Sequence, residues 1–294
     1  MELGIITDEV HPDFATACTN AAAWSLPLVE VRQVDGKNVV HLTDAEVDRA
    51  ADIIGRHGLG VSAVASPVFK SPLDERPVAG TGDFSVAEAV TVEAQLALLD
   101  RACLIAKRLG TDLVRVFTFL REPTTDLTLE RLLGHMRSAA ELAAGHGVVL
   151  AVENEPACIV GTGEELGRFF GRLDATLDER LRPHVAALWA PGNALALGED
   201  PPYPDGYSHV PIERLAHVHL KDLGAGVASF GTFVPIGQGR IDYPGQLAAL
   251  LRDGYGGSVV LEPHYAPPGV DSITAAHTCV VAAREALTAA GIAT

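Results

Sequence analysis

The sequence predicts an α/β fold, a single (β/α)8 TIM barrel covering residues 1–294. Three observations carry that expectation. Strand-like and helix-like segments alternate along the chain with little interruption, the pattern of a parallel sheet wrapped by helices. Four apolar runs in the second half, 148–153, 185–190, 215–222 and 258–264, read as buried parallel strands. No Gly-rich dinucleotide turn follows the first strand, which argues against a doubly wound open sheet. In a barrel the C-terminal strand ends converge on one face. Glu153, His219 and Glu262 then surround a common point. Two carboxylates and an imidazole suit one divalent cation and the proton transfers it promotes.

The elements follow in order. Residues 3–7 form strand one, a helix covers 13–24, and strand two covers 28–32. Thr43 is an N-cap, and Glu46 three residues later completes a capping box. That helix is expected to run to His57 and stop at Gly58, ahead of strand three at 59–65. The stretch 66–82 holds Pro67, Pro72, Pro77, Gly80 and Gly82. It reads as a long loop, either an active-site cover or a passive surface insertion. A helix over 86–109 ends at Gly110, strand four covers 112–118, and a helix over 127–146 stops at Gly147. The four runs above are strands five to eight. Helices are expected at 163–173, 211–215 and 244–253, and one over 271–288 closes the chain. Pro201-Pro202-Tyr203-Pro204 marks an extended loop after strand six.

The length of 294 residues fits one barrel of ~250 residues with modest insertions. An apolar fraction of 48% supplies a large core, and with only 5% aromatics Ala, Val and Leu must do most of the packing. No apolar run approaches the ~18 residues of a membrane-spanning helix. The first residues read directly as a strand, without a basic region or apolar signal core, so a cytoplasmic location is expected. Cys18, Cys103, Cys158 and Cys279 lie far apart and form no Cys-x-x-Cys pair, which speaks against a disulfide framework or a structural zinc site. The formal net charge is −16 and no Lys/Arg-rich run is present, so nucleic acid and membrane surfaces are poor partners. The expected partner is a small polyhydroxylated molecule, and a homo-oligomer is left open.

Several segments carry a resemblance. Val152-Glu153-Asn154-Glu155-Pro156, His217-Val218-His219-Leu220-Lys221-Asp222 and Leu261-Glu262-Pro263-His264 are its most specific parts. The turn Gly237-Gln238-Gly239-Arg240-Ile241-Asp242-Tyr243, the opening Gly4-Ile5-Ile6-Thr7-Asp8-Glu9 and Gly36-Lys37-Asn38-Val39 fit the same group. In order and spacing the chain resembles the xylose isomerase-like TIM barrels, the sugar phosphate isomerase/epimerase family, over nearly its whole length. The resemblance implies a divalent metal (Mn, Mg, Co or Zn) at the barrel mouth, held by Glu, Asp, His and Glu from strands five to eight. Glu153, His219 and Glu262 match three of the four. The family's Trp-Asp-Pro-Gly-Asn turn here reads Trp189-Ala190-Pro191-Gly192-Asn193. Ala190 offers no ligand, so weak metal binding is expected. Natural divergence and an introduced substitution both remain open.

The activity implied is a metal-dependent isomerase or epimerase of a small sugar or sugar-like carbonyl compound in carbohydrate metabolism. One glutamate removes the proton next to the carbonyl, giving an enediolate, and the other returns one. Glu153 and Glu262 take these roles, in either order, against the plain reading of salt-bridged strand ends. His219 faces the pocket by the motif match. His217 is read as pointing the opposite way, toward the helical layer, or as supporting the site from behind. Lys221 shares His219's parity and is a candidate for a substrate oxygen or phosphate, or else a solvated lysine. Asn193 and His264 are candidates for substrate hydroxyls. Arg32, Arg115 and Arg240 are candidates for a phosphate or carboxylate, against the reading of structural ion pairs. Rival readings are an inosose dehydratase-like lyase, the endonuclease IV branch with its several zinc ions, and a binding or regulatory barrel whose activity was lost with the change at position 190.

Overall fold

The structure, a computed structural model, describes residues 1–76, 91–224 and 232–293. Eight parallel strands close into a barrel: β1 (Glu2–Ile6), β2 (Leu28–Val31), β3 (Gly60–Val64), β4 (Leu113–Val116), β5 (Val149–Glu153), β6 (Val185–Trp189), β7 (Leu215–Leu220) and β8 (Ser258–Leu261). Each strand pairs with its neighbour in sequence, and β8 returns to β1 with Glu2 opposite Ser258 and Ile5 opposite Leu261. Closure leaves the barrel without an unpaired edge, and it brings the ends of β5 to β8 round to those of β1 and β2.

Besides a one-turn helix, Thr7–Val10, at the end of β1, the helices around the barrel are α1 (Phe14–Ala23), α2 (Asp44–Arg56), α3 (Val92–Leu109), α4 (Asp126–His146), α5 (Gly163–Leu173), α6 (Pro191–Ala196), α7 (Tyr243–Arg252) and α8 (Ser272–Ala289). Their ends obey local chemistry. The Thr43 side chain accepts from the Glu46 amide while the Glu46 side chain accepts from the Thr43 amide, the reciprocal cap expected from the sequence. Asp13 caps α1 through the Thr16 amide at 2.8 Å. Gly110 and Gly147 end α3 and α4 with φ of 81° and 65°, a conformation glycine adopts without a Cβ penalty. Buried Leu, Val, Ile and Ala from strands and helices form one large apolar cluster. Each such side chain contributes roughly 1.5–3 kcal/mol on burial, less for Ala.

Three elements differ from the sequence reading. The expected helix at 211–215 is a single 3-10 turn, Ile212–Arg214, running straight into β7. The turn after β6 is the start of α6, with Pro191 at its first position, where its missing N–H costs nothing. The helix expected over 86–109 begins at Val92, with Thr91 capping the Ala94 amide. Residues 86–90 of that expectation, and 77–82 of the expected loop, lie outside the described residues.

Two short antiparallel pairs extend the strand ends. Gln33–Val34 pairs with Lys37–Asn38 after β2, and Asp222–Leu223 pairs with Phe233–Val234 after β7. The second is clamped by the Asp222 carboxylate, which accepts from the amides of Gly237 at 2.9 Å and Gly239 at 3.0 Å. A Cβ at position 239 would collide with that carboxylate, which explains the glycine in the Gly-x-Gly turn.

Candidate active site

Side-chain alternation along β5 and β7 sends Glu153 and His219 into the barrel, and Glu262, just past β8, joins them. All three are buried. His219 Nδ1 lies 3.4 Å from Glu153 Oε1 and 3.6 Å from Glu262 Oε2. One donor atom from each lies within 4.8 Å of the others, a spread that one cation with ~2 Å bonds can join. His219 Nδ1 and Glu153 Oε2 are buried without a hydrogen-bond partner. Such orphaned polar atoms are costly unless a ligand satisfies them, so the residues present fit a divalent cation here.

Beneath them lies a network that the sequence reading missed. Glu30, on β2 and fully buried, accepts from His217 Nε2 at 2.6 Å and sits 3.1 and 3.2 Å from His219 Nε2. Ser258 Oγ meets His217 Nδ1 at 2.9 Å. The expectation that His217 faces away from His219 is corrected: residues two apart on a strand share a face, and both rings turn inward onto one carboxylate. The alternative expectation, support from behind, describes what His217 does. Burial alone would push the Glu30 carboxyl up, but the two imidazoles outweigh it and hold it well below the usual range. Burial would likewise lower His219, and the charges of Glu30 and Glu153 reverse this and raise it well above the ordinary histidine value. Engaging Nε2 with Glu30 leaves Nδ1 on the side of Glu153 and Glu262, the arrangement in which a carboxylate orients a metal-binding imidazole.

Cations brace the two glutamates. Arg32 reaches Glu262 Oε1 at 2.9 Å, Glu9 Oε1 at 2.6 Å and Asp8 Oδ2 at 2.8 Å. The Lys221 ammonium pairs with Glu262 Oε2, so Lys221 is buried and not the solvated lysine of the plain reading. His264 bridges Glu9 at 2.9 Å and Glu262 at 3.5 Å with φ at 46°, a left-handed backbone uncommon outside glycine. Burial opposes charge on His264, and the Glu262 carboxylate overcomes it, raising the imidazole to about 9. Burial also favours a neutral Glu262, and Lys221 first, then His264, pull it well below the ordinary value. Glu153 is held down in the same way against burial, chiefly by Arg115 at 3.3 Å and by His219.

Asn193, on α6, donates to Glu153 Oε1 at 3.0 Å and to the Asn154 carbonyl at 2.8 Å. Asn154 in turn clamps Ala190 through its backbone N–H at 2.8 Å and C=O at 3.0 Å. Ala190 is fully buried and packs with Ala151 and Leu188 inside the barrel. The ladder sets Leu188 opposite Glu153 on one side and His217 on the other. Position 190, two residues on, therefore stands between the strands of Glu153 and His219, where a fourth ligand would sit. Arg240 is corrected: its guanidinium pairs with Asp200 and does not line the cavity, because the Gly237–Gly239 turn carries it outward.

The site opens into a cavity of about 750 Å³. One wall holds Lys70, Arg115 and Phe117, another Phe233, His264 and Tyr265, and Pro67 and Lys70 bring the loop after β3 to its edge. Lys70 was not singled out in the sequence, since it stands in a loop without a motif. Cys158 is buried and is absent from the lining.

A family model described as xylose isomerase-like TIM barrel matches residues 18–288. The chain belongs to that family. A curated relative, the inosose dehydratase of Bacillus licheniformis, is 28% identical over 157 residues, and the match spans about half of each protein, 49% of this chain and 49% of the relative. Among solved structures, an IolI protein with a bound zinc atom superposes with a TM-score of 0.76 at 17% identity, covering 98% of each chain. An L-ribulose 3-epimerase gives a TM-score of 0.72 at 16% identity, covering 99% of this chain and 95% of the other. At these identities the superpositions establish the shared barrel. Among the described residues, no helix is long and apolar enough to cross a membrane.

Proposed function

We propose that this barrel is a metal-dependent isomerase or epimerase of a small sugar or sugar-like carbonyl compound, with Glu153 and Glu262 as the proton-transfer pair. The observation that carries the reading is the convergence of Glu153, His219 and Glu262 around one point, with His219 Nδ1 and Glu153 Oε2 buried without a hydrogen bond. Glu153, His219 and Glu262 would hold the cation, which when bound polarises the carbonyl and offsets the negative charge that develops on its oxygen. The chain's own residues do the rest. Arg115 and Asn193 fix the Glu153 carboxylate, while Lys221, Arg32 and His264 fix that of Glu262. Both carboxyls are held ionised, so the first can accept the carbon-bound proton. In isomerisation that same carboxyl returns the proton to the adjacent carbon; in epimerisation the opposite carboxyl returns one, having first taken a proton from water.

A second reading is favoured by the inosose dehydratase match. The same proton removal next to a ketone, followed by loss of a β-hydroxyl, makes the enzyme a lyase; His264, cationic at neutral pH, then stands beside Glu262 as the acid for the departing hydroxyl. Incubating the Mn²⁺-supplemented protein in deuterated water with a panel of ketoses and inososes tests both. The account expects deuterium on the carbon next to the carbonyl, and loss of label in Glu153→Gln or Glu262→Gln. Conserved mass identifies the isomerase or epimerase, and loss of water the lyase. Full labelling by both variants would remove the pair from the mechanism.

A further inference from the structure

The cations of the cavity divide into two sets. Arg32, Lys221 and His264 are engaged with Glu262 and its neighbours Glu9 and Asp8. Lys70 and Arg115 are held differently. Among the described residues, the carboxylate oxygen paired with Lys70 Nζ, Glu155 Oε1, is 3.6 Å away, a distance at which no hydrogen bond forms. Arg115 gives Nε and Nη2 to the carbonyls of Ser66 and Ala65, both at 3.3 Å, which fix the guanidinium plane. Its Nη1 is left toward Glu153 Oε2 at 3.3 Å, an oxygen that gains no hydrogen bond from the approach.

Both cations rest on one ring. Lys70 Nζ is 5.1 Å and Arg115 Cζ 4.8 Å from the centre of Phe117, within range for a cation on an aromatic face. The ring replaces water on one side of both charged heads without satisfying their N–H donors. The carboxylates of Glu153 and Glu155 border this wall, and Asn193 holds Glu155 Oε2 at 3.5 Å. A planar fork and an ammonium with donor capacity to spare, in a half-dry wall, are matched by an oxyanion.

We propose that the substrate carries an anionic group, a carboxylate or a phosphate, that docks between Lys70 and Arg115 over Phe117. This rests on the cavity being the substrate site of the proposed function, and it narrows the substrate from any polyhydroxylated carbonyl compound to an acidic one. Arg115 then serves two ends, linking the anion to the Glu153 carboxylate. The anchored end of the substrate thereby lies on the Glu153 side of the cavity, and the wall of Phe233 and Tyr265 faces its other end.

The test uses three unreactive ligands with one carbon skeleton, D-arabinitol, D-arabinonate and D-arabinitol 5-phosphate, titrated calorimetrically into the Mn²⁺-supplemented protein. At least one anion should bind about tenfold or more tighter than the neutral polyol, and the carboxylate and phosphate arms distinguish the two sources. Lys70→Met should shrink that preference to about threefold or less while leaving Mn²⁺ affinity unchanged, and Lys70→Arg should retain it. Anions that bind no tighter than the polyol, no measurable binding of either anion, or a preference that survives Lys70→Met intact would each overturn the inference. The two levels fail separately. Solvent deuterium exchange on a neutral ketose without any anion preference removes the anion subsite and leaves the enolising function. Anion preference without exchange on any carbonyl compound removes the function and leaves the subsite.

Discussion

Glu30 shows how far a single side chain can govern this site. Its carboxylate fills the barrel interior under His219 and receives both imidazoles. Replacing it with Gln keeps the shape but removes the charge that orients Nδ1 toward Glu153 and Glu262. Glu30→Gln should weaken Mn²⁺ binding about 10- to 100-fold, the usual cost of losing a partner that orients a ligand. In the same calorimetric series, Ala190→Asp should tighten binding by about tenfold or more, or 1.4 kcal/mol, because position 190 stands between the strands of Glu153 and His219. Equal affinities for wild type and Ala190→Asp would mean that the side chain at 190 does not face the metal. Glu153, His219 and Glu262 were legible in the sequence because each closes an apolar strand with a chemically conspicuous residue. Glu30 was not. It sits inside Leu-Val-Glu-Val like any strand residue, and its partners lie 187 and 189 positions away. Only barrel closure brings β2 across from β7. Arg240 erred the other way: its sequence neighbours belong to the family pattern, yet the turn points it to Asp200.

At the scale of elements, local chemistry decides where helices begin and end. The Thr43 cap of α2 was readable from two residues, and Thr43→Ala should destabilise the fold by about 1 kcal/mol in urea unfolding. No loss would mean that Lys37 and the Glu46 carboxylate hold the helix start without it. The pH dependence of this cap has a definite sign. The Glu46 carboxyl is lowered to about 2, first by the Lys37 hydrogen bond and then by those from Thr43. Its stabilisation is therefore present above the ordinary value of 4.5 and fades as pH falls toward about 2. α6 escaped the sequence reading because Pro191 and Gly192 resemble a turn. Gly192 is there for packing: a Cβ at that position would collide with the Lys221 side chain and carbonyl. The helix start thus seats Lys221 against Glu262 and Asn193 against Glu153. The loop after β3 was legible as a loop from its prolines, but its contribution of Lys70 to the cavity depends on contacts with Phe117 that no local pattern encodes.

At the scale of the whole molecule, eight strands of four to six residues, with the segments that follow them, place groups around one cavity. Fold and family were readable because alternation and strand-end chemistry persist along the chain. What closure adds is charge organisation: buried carboxylates and cations neutralise one another at the strand ends, and His219 Nδ1 and Glu153 Oε2 are left without a hydrogen bond. The account stands on those atoms being the place of a cation. A crystal of the protein soaked in Zn²⁺ and measured at the zinc absorption edge tests this most directly. The account predicts one strong anomalous peak bonded at about 2.0–2.2 Å to Glu153, His219 Nδ1 and Glu262, and its loss in a His219→Ala crystal. No peak at that point, or a peak that persists in His219→Ala with the ion held elsewhere in the cavity, would contradict it.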